Sequence, residues 1–166
     1  MKIVAIAGPS QCGKTLLITR LIPEFRARGL SVAVIKHCGH GFCLDVEGKD
    51  SWKYNQAGAR GVALVAPGEI AVFKKTDDPW DFRDLAGRYL GGADIVLVEG
   101  GKGVRGLKKI EVVRRGLEAD ALVERGELLA VVSDADSVAD VPVFLPGQAA
   151  ELADFLIANL VEEPLG

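Results

Sequence analysis

Cysteine is scarce: the 166 residues carry three, Cys12, Cys38 and Cys43, which do not suggest a disulfide framework. A cross-link at Cys12 would obstruct the glycine-rich turn that contains it, so a reducing, cytoplasmic setting is expected. No apolar run reaches the ~18 residues that a membrane-spanning helix needs, and no apolar core with a cleavage site follows Lys2. No membrane partner is expected. Cations are outnumbered, with 20 Lys and Arg against 23 Asp and Glu. The net charge of −3 argues against nonspecific nucleic-acid binding, which needs a basic surface, but leaves room for a local basic patch. Internal repeats, low-complexity tracts and linkers are also missing. Residues 1–166 therefore read as a single domain, long enough to bury a substantial core.

What is present is a regular alternation. Residues 3–7, 31–35, 62–65, 70–73, 95–98, 110–113, 128–132 and 143–145 read as strands. Leu16, Leu17, Leu21, Ile22 and Phe25 recur at helical spacing after the first of them. Asp50 and Ser51 are expected to cap a short helix ending near Gly58. Another helix is expected to begin at Asp77, with Pro79 near its first position and Trp80, Phe82, Leu85 and Leu90 as apolar contacts. A closing helix carries Leu152, Phe155, Leu156 and Leu160 on one face. Strands alternating with helices predict an α/β fold around a largely parallel central sheet. In such sheets ligands bind beyond the carboxyl ends of strands.

The chain is organised around residues 8–15, Gly-Pro-Ser-Gln-Cys-Gly-Lys-Thr, set between the first strand and the first helix. Glycine, four residues, then Gly-Lys-Thr is the phosphate-loop pattern, and strand, loop, helix is the context that gives it a mechanism. Gly8 and Gly13 let the backbone wrap closely, so that N–H groups of Ser10, Gln11, Cys12 and Gly13 converge on anionic oxygens. Lys14 is expected to reach the β and γ phosphates, and Thr15 to offer its hydroxyl to Mg²⁺. The competing reading is a glycine-rich turn without a ligand; the flanking elements favour a nucleoside triphosphate site.

A second carboxylate is needed for the metal, and Glu99, at the end of the apolar strand at 95–98, is the best placed. Asp45 and Asp50 are further candidates, and for Asp50 the helix-cap role is compatible with a ligand role. Lys102, Arg105, Lys108, Lys109, Arg114 and Arg115 form a basic stretch, most of it read as a solvated face. Lys102, beside the acidic strand end, and Lys36, at the end of the second strand, are the expected catalytic cations beside Lys14. His37, Cys38, His40 and Cys43 are soft ligands within seven positions and suit zinc or nickel, but no second Cys/His cluster accompanies them. A glycine-rich loop with incidental cysteines is the simpler reading.

Residues 8–15, Ile35-Lys36-His37, the 45–51 segment ending Gly-Lys-Asp-Ser, Leu97-Val98-Glu99-Gly100 with Lys102, and Lys109-Ile110 together carry a resemblance. In their order and spacing the chain resembles the molybdopterin-guanine dinucleotide biosynthesis protein B family. The resemblance covers the first two thirds of the chain. It implies a three-layer phosphate-loop NTPase fold and a homodimer that binds GTP and Mg²⁺. It also implies weak GTPase activity and an accessory role to a separate molybdopterin guanylyltransferase, which attaches GMP to molybdopterin. By the same resemblance Lys14 and Thr15 contact phosphate and metal, while Asp50 and Glu99 complete the metal shell. The Cys38–Cys43 stretch departs from the His-rich, acidic segment common in that family. Two other readings stay open: a metallochaperone GTPase using the Cys/His loop, and a small-molecule kinase or ATP-dependent ligase. No Asn-Lys-x-Asp guanine signature is present, and Ser133-Asp134 is a candidate to face the base. Arg20 is the one arginine near the loop in sequence, and no glutamine stands in a water-positioning place, so slow turnover is expected.

Overall fold

The computed structural model describes residues 1–39, 41–42, 46–77, 80–115, 123–124, 126–134 and 140–162. In chain order the elements are β1 (Lys2–Ala7), α1 (Lys14–Ala27), β2 (Val32–Lys36), α2 (Asp50–Gln56), β3 (Gly61–Ala66), β4 (Glu69–Lys74), α3 (Phe82–Tyr89), β5 (Ile95–Glu99), β6 (Lys109–Val113), β7 (Leu128–Ser133), β8 (Val143–Phe144) and α4 (Ala149–Asn159). They divide between two compact units, one of Met1–His37 with Asp81–Gly166 and one of Cys38–Trp80.

The larger unit is built on a sheet ordered β2-β5-β1-β6-β7-β8 in which every pairing is parallel. The fold is the α/β, parallel-sheet architecture that the strand and helix pattern predicts. Strands buried on both faces read as unbroken apolar runs, and Ile3 to Ala7 and Ile95 to Val98 are all buried. On one face Leu17, Ile18, Leu21 and Phe25 of α1 and Leu152, Ala153 and Leu156 of α4 pack against Val4, Ile6, Leu97, Ile110 and Val132. On the other, Phe82 and Ala86 of α3 pack against Ile3, Ala5, Val96 and Val98. Helices on both faces of the sheet make three layers.

Several local expectations are corrected. Leu16 is 47% exposed, because at about 100° per residue positions 17, 18, 21 and 25 share the sheet-facing stripe and 16 falls beside it. Helix α3 begins at Phe82, where the Asp81 carboxylate accepts from the N–H groups of Arg83 at 2.7 Å and Asp84 at 3.4 Å. A side-chain acceptor for orphan N–H groups defines that start; Asp78 and Pro79 lie outside the described residues. Trp80, expected on its apolar face, belongs to the smaller unit and is 43% exposed.

The smaller unit holds α2 and the antiparallel pair β3–β4, joined through Pro67 and Gly68. Gly68, at φ +82°, follows a proline, the combination that a two-residue type II corner requires. Strands joined by two residues pair antiparallel, so β3 and β4 form their own ribbon and add nothing to the parallel sheet. Helix α2 starts one residue earlier than a cap at Asp50 would allow. Lys49 is its N-cap without a side-chain bond, and Asp50 is the first helical residue, its carboxylate 3.3 Å from the Lys53 ammonium. Among the described residues no helix is long and apolar enough to cross a membrane.

Candidate functional site

The turn between β1 and α1 is held in a conformation that its glycines make possible. At Gly8 (φ +150°) a Cβ would lie 2.5 Å from the Val112 carbonyl and 2.7 Å from the Cys12 sulfur. At Gly13 (φ +100°) it would lie 3.0 Å from the Arg114 guanidinium. Gln11, exposed at the tip of the turn, sits at φ +61°, a strained region for a residue with a side chain. Cys12 is buried beneath the turn. Among the described residues the N–H groups of Ser10, Gln11, Cys12 and Gly13 donate to no acceptor. A run of unpaired backbone donors at a helix N-terminus is an anion cradle.

Lys14 lies across this turn. Its ammonium donates to the carbonyls of Gly8 at 3.0 Å and Pro9 at 2.5 Å, and the Cys12 sulfur is 3.8 Å away. The next residue faces β5: the Thr15 hydroxyl donates to Glu99 Oε1 at 2.9 Å. The Lys36 ammonium is 3.4 Å from the same oxygen. Sheet order explains the meeting. Strand β5 lies between β1 and β2, with Ile6 and Lys36 in register with Glu99, so the carboxyl ends of three strands distant in sequence open at one edge. The backbone locks them, Gly100 N–H donating to Ile6 O and His37 N–H to Glu99 O, both at 3.0 Å. The Glu99 side chain is only 13% exposed. A carboxylate and a hydroxyl are the hard oxygen donors that Mg²⁺ takes, with phosphate and water filling the remaining positions. The donor set fits that ion.

Other expected residues stand elsewhere. Lys102 follows Gly101 and lines a crevice with Arg105, Glu124 and Glu127; among the described residues no bond joins it to Glu99 or Thr15. Asp50 is on α2 in the smaller unit. Asp45, His40 and Cys43 lie outside the described residues. Cys38 is half-buried in the smaller unit, and the His37 ring meets Phe82 edge-on at 5.7 Å. Among the described residues no three of His, Cys, Asp or Glu gather as a metal site.

The basic stretch is not a uniform solvated face. Lys109 is 1% exposed, and its ammonium donates to the carbonyls of Val104 at 2.6 Å and Leu107 at 3.3 Å and to the Glu127 carboxylate. Glu127 is held below the usual carboxylate range by that bond and by the Gly106 N–H.

Arg114 is the residue that sequence reasoning missed. Its Nε donates to the Cys12 carbonyl at 3.0 Å and its Nη1 to Asp134 at 2.9 Å. The Arg115 N–H donates to the other Asp134 oxygen at 2.9 Å. These bonds, the backbone one foremost, hold the Asp134 carboxyl below its ordinary value. Asp134, a candidate to face the base, is thus paired with a cation braced on the phosphate loop. Arg20, the expected neighbour, instead donates to the Pro146 carbonyl at 2.8 Å. A signal for Arg114 existed: it follows β6, next to β1 in the sheet, at the same carboxyl edge as the other motifs.

The family model for molybdopterin guanine dinucleotide synthesis protein B matches residues 3–134. The chain is similar to the molybdopterin-guanine dinucleotide biosynthesis adapter protein of Escherichia coli K12, 34% identical over 160 residues covering 93% of this chain and 91% of that protein. It is 42% identical over 101 residues to the adapter protein of that name from Haemophilus influenzae, a match spanning 60% of this chain and 57% of the relative. A crystal structure of molybdopterin-guanine biosynthesis protein B aligns with a TM-score of 0.72 at 31% identity, over 94% of this chain and 98% of the other.

Proposed function

Since the chain belongs to the molybdopterin guanine dinucleotide synthesis protein B family, we propose that it is an adapter in molybdenum-cofactor biosynthesis. In this reading it binds GTP and Mg²⁺ in the cytoplasm and assists a separate guanylyltransferase in attaching GMP to molybdopterin. The observation that carries the reading is the row of unpaired N–H groups from Ser10 to Gly13 beside the Thr15–Glu99–Lys36 cluster.

Each residue then has a task. The N–H groups of the turn hold the β and γ phosphates. Lys14 exchanges its bonds to the Gly8 and Pro9 carbonyls for bonds to phosphate oxygens. Thr15 and Glu99 would hold Mg²⁺, which would supply charge neutralisation at the phosphates. Lys36, 3.4 Å from the same Glu99 oxygen, supplies a second positive charge at that edge. Lys102 and its crevice receive an acidic group, either the pterin phosphate or a partner surface. Residues 1–166 act as one nucleotide-binding module.

The protein works as a homodimer, and the β3–β4 ribbon is the surface that supports this. Val65 and Ile70, directly opposite one another, are 76% and 70% exposed, and Val72 on the same face is 57% exposed. A lone two-stranded ribbon with an uncovered apolar face is marginal in water, and a second copy of the same face covers it.

Guanylylation of molybdopterin by the transferase, measured with and without this protein and alongside GTP hydrolysis, tests the proposal. The expected result is hydrolysis well below about one turnover per second by the protein alone, with guanylylation stimulated by wild type and not by Lys14→Ala. Fast hydrolysis by the isolated protein with no effect on guanylylation would overturn it.

A further inference from the structure

We propose that Arg114 is a positioning residue for the phosphate loop, aiming the Gly13 N–H at the nucleotide phosphates under the control of Asp134. The inference rests on the nucleotide-binding reading above and assigns a role to two residues outside the motif.

A trans peptide points its C=O and N–H in opposite directions, and no cis peptide occurs among the described residues. The Cys12 carbonyl is held by Arg114 Nε at 3.0 Å, so the Gly13 N–H of the same plane is turned away from the guanidinium. That N–H has no acceptor among the described residues. It is the donor immediately before Lys14, at the N-terminus of α1. Among the described residues no other hydrogen bond reaches the Cys12 carbonyl or the Gly13 N–H, and the φ of Gly13 is the least restricted of any residue type.

Arg114 is itself fixed. Its side chain is 27% exposed, and its planar fork is held at Nη1 by the Asp134 carboxylate, which the Arg115 N–H orients in turn. A guanidinium holds two acceptors in one plane, which an ammonium does not. Gly13 completes the fit: a Cβ there would meet Arg114 Nη2 at 3.0 Å. The carboxyl ends of β1, β6 and β7 are thereby joined through one side chain, and Asp134 acts on the phosphates only through Arg114.

The experiment uses the full chain with Mg²⁺, titrated calorimetrically with GTP and with inorganic tripolyphosphate, which has no base or ribose. Arg114→Gln is expected to weaken both ligands by about tenfold or more, the loss of one well-aimed charge-assisted donor. Arg114→Lys recovers part of the loss, and the Gly13 amide resonance of unliganded Arg114→Gln moves from its wild-type position. Asp134→Asn weakens both ligands in the wild-type background and changes nothing further in Arg114→Gln, a non-additivity that marks two residues acting in series. Wild-type affinity in Arg114→Gln, or full additivity of the two substitutions, would overturn the proposal. So would affinity losses that merely follow the melting temperatures of the variants. Failure of the wild-type chain to bind either ligand would instead remove the nucleotide-binding reading, and the proposal with it.

Discussion

At Lys14 an ammonium is satisfied by the loop's own carbonyls, so ligand binding replaces existing bonds and its net gain is moderate. A hydrogen bond to a charged group contributes about 1.5–3 kcal/mol, which corresponds to a tenfold to hundredfold affinity change. Lys14→Ala should weaken GTP by that factor in calorimetry while circular dichroism shows the fold intact. Glu99 carries two bonds at one oxygen, a hydroxyl and an ammonium, at the position proposed for the metal. Glu99→Gln keeps the shape and loses the charge, so GTP affinity should fall in Mg²⁺ and stay level in EDTA. Equal loss in both would make Glu99 a structural residue. Lys36→Met removes the competing cation; the Mg²⁺ concentration giving half-maximal GTP binding should then fall severalfold, and a rise would reverse the assignment.

At the scale of elements, the loop from β5 to β6 is held by the side chain of Lys109, which reaches back to Val104 and Leu107 and across to Glu127 ahead of β7. Arg83 at the start of α3 donates to the Gly106 carbonyl of the same loop. Removing one partner of a buried pair leaves the rest unsatisfied, at a cost on the order of 3–5 kcal/mol. Lys109→Ala should therefore lower the melting temperature by roughly 10 °C or more in a chain of this size, as calorimetry would show. The ribbon β3–β4 makes an opposite test. Val65→Lys with Ile70→Lys should leave the larger unit folded and convert a dimer to a monomer in sedimentation, and an unchanged mass would dismiss the ribbon as the interface.

At the scale of the whole molecule, four carboxylates among the described residues are held below their ordinary range. Asp94 is lowered by the hydroxyl and N–H of Ser31, Glu127 by Lys109 and then Gly106, Asp134 by the Arg115 N–H and then Arg114, and Asp154 by Arg28. A carboxyl that ionises more readily when folded adds stability in its charged form. That contribution is complete above the unfolded-state value of about 4 and is lost as pH falls through the lower folded value. Denaturant midpoints should hold steady from neutral pH to about 5 and decline steeply below 4. Asp154→Asn, which removes the carboxylate that Arg28 binds on α4 and leaves its bond to the Ala150 carbonyl, should shallow that decline. A decline of unchanged slope would mean that other groups carry it.

The order of strands and helices and the glycine-rich turn between β1 and α1 were legible along the chain, because each depends on local periodicity or on a contiguous motif. Lys14, Thr15 and Glu99 could be named that way, since the loop pattern and an apolar strand ending in an acid are short-range signals. The start of α3 was misplaced because the Asp81 cap competes with the earlier Asp-Pro signal, and only the observed bonds decide between them. Sequence spacing gave no means of seeing that β3 and β4 pair only with each other, since strand-forming residues do not state their partners. The same limit hid Arg114 and buried Lys109 within an apparently uniform basic stretch. Charge is a property of composition, but which cation meets Cys12, which meets Glu127 and which meets water follows from sheet order. Strand pairing over long separations sets that order, and only the folded chain brings those residues within bonding distance.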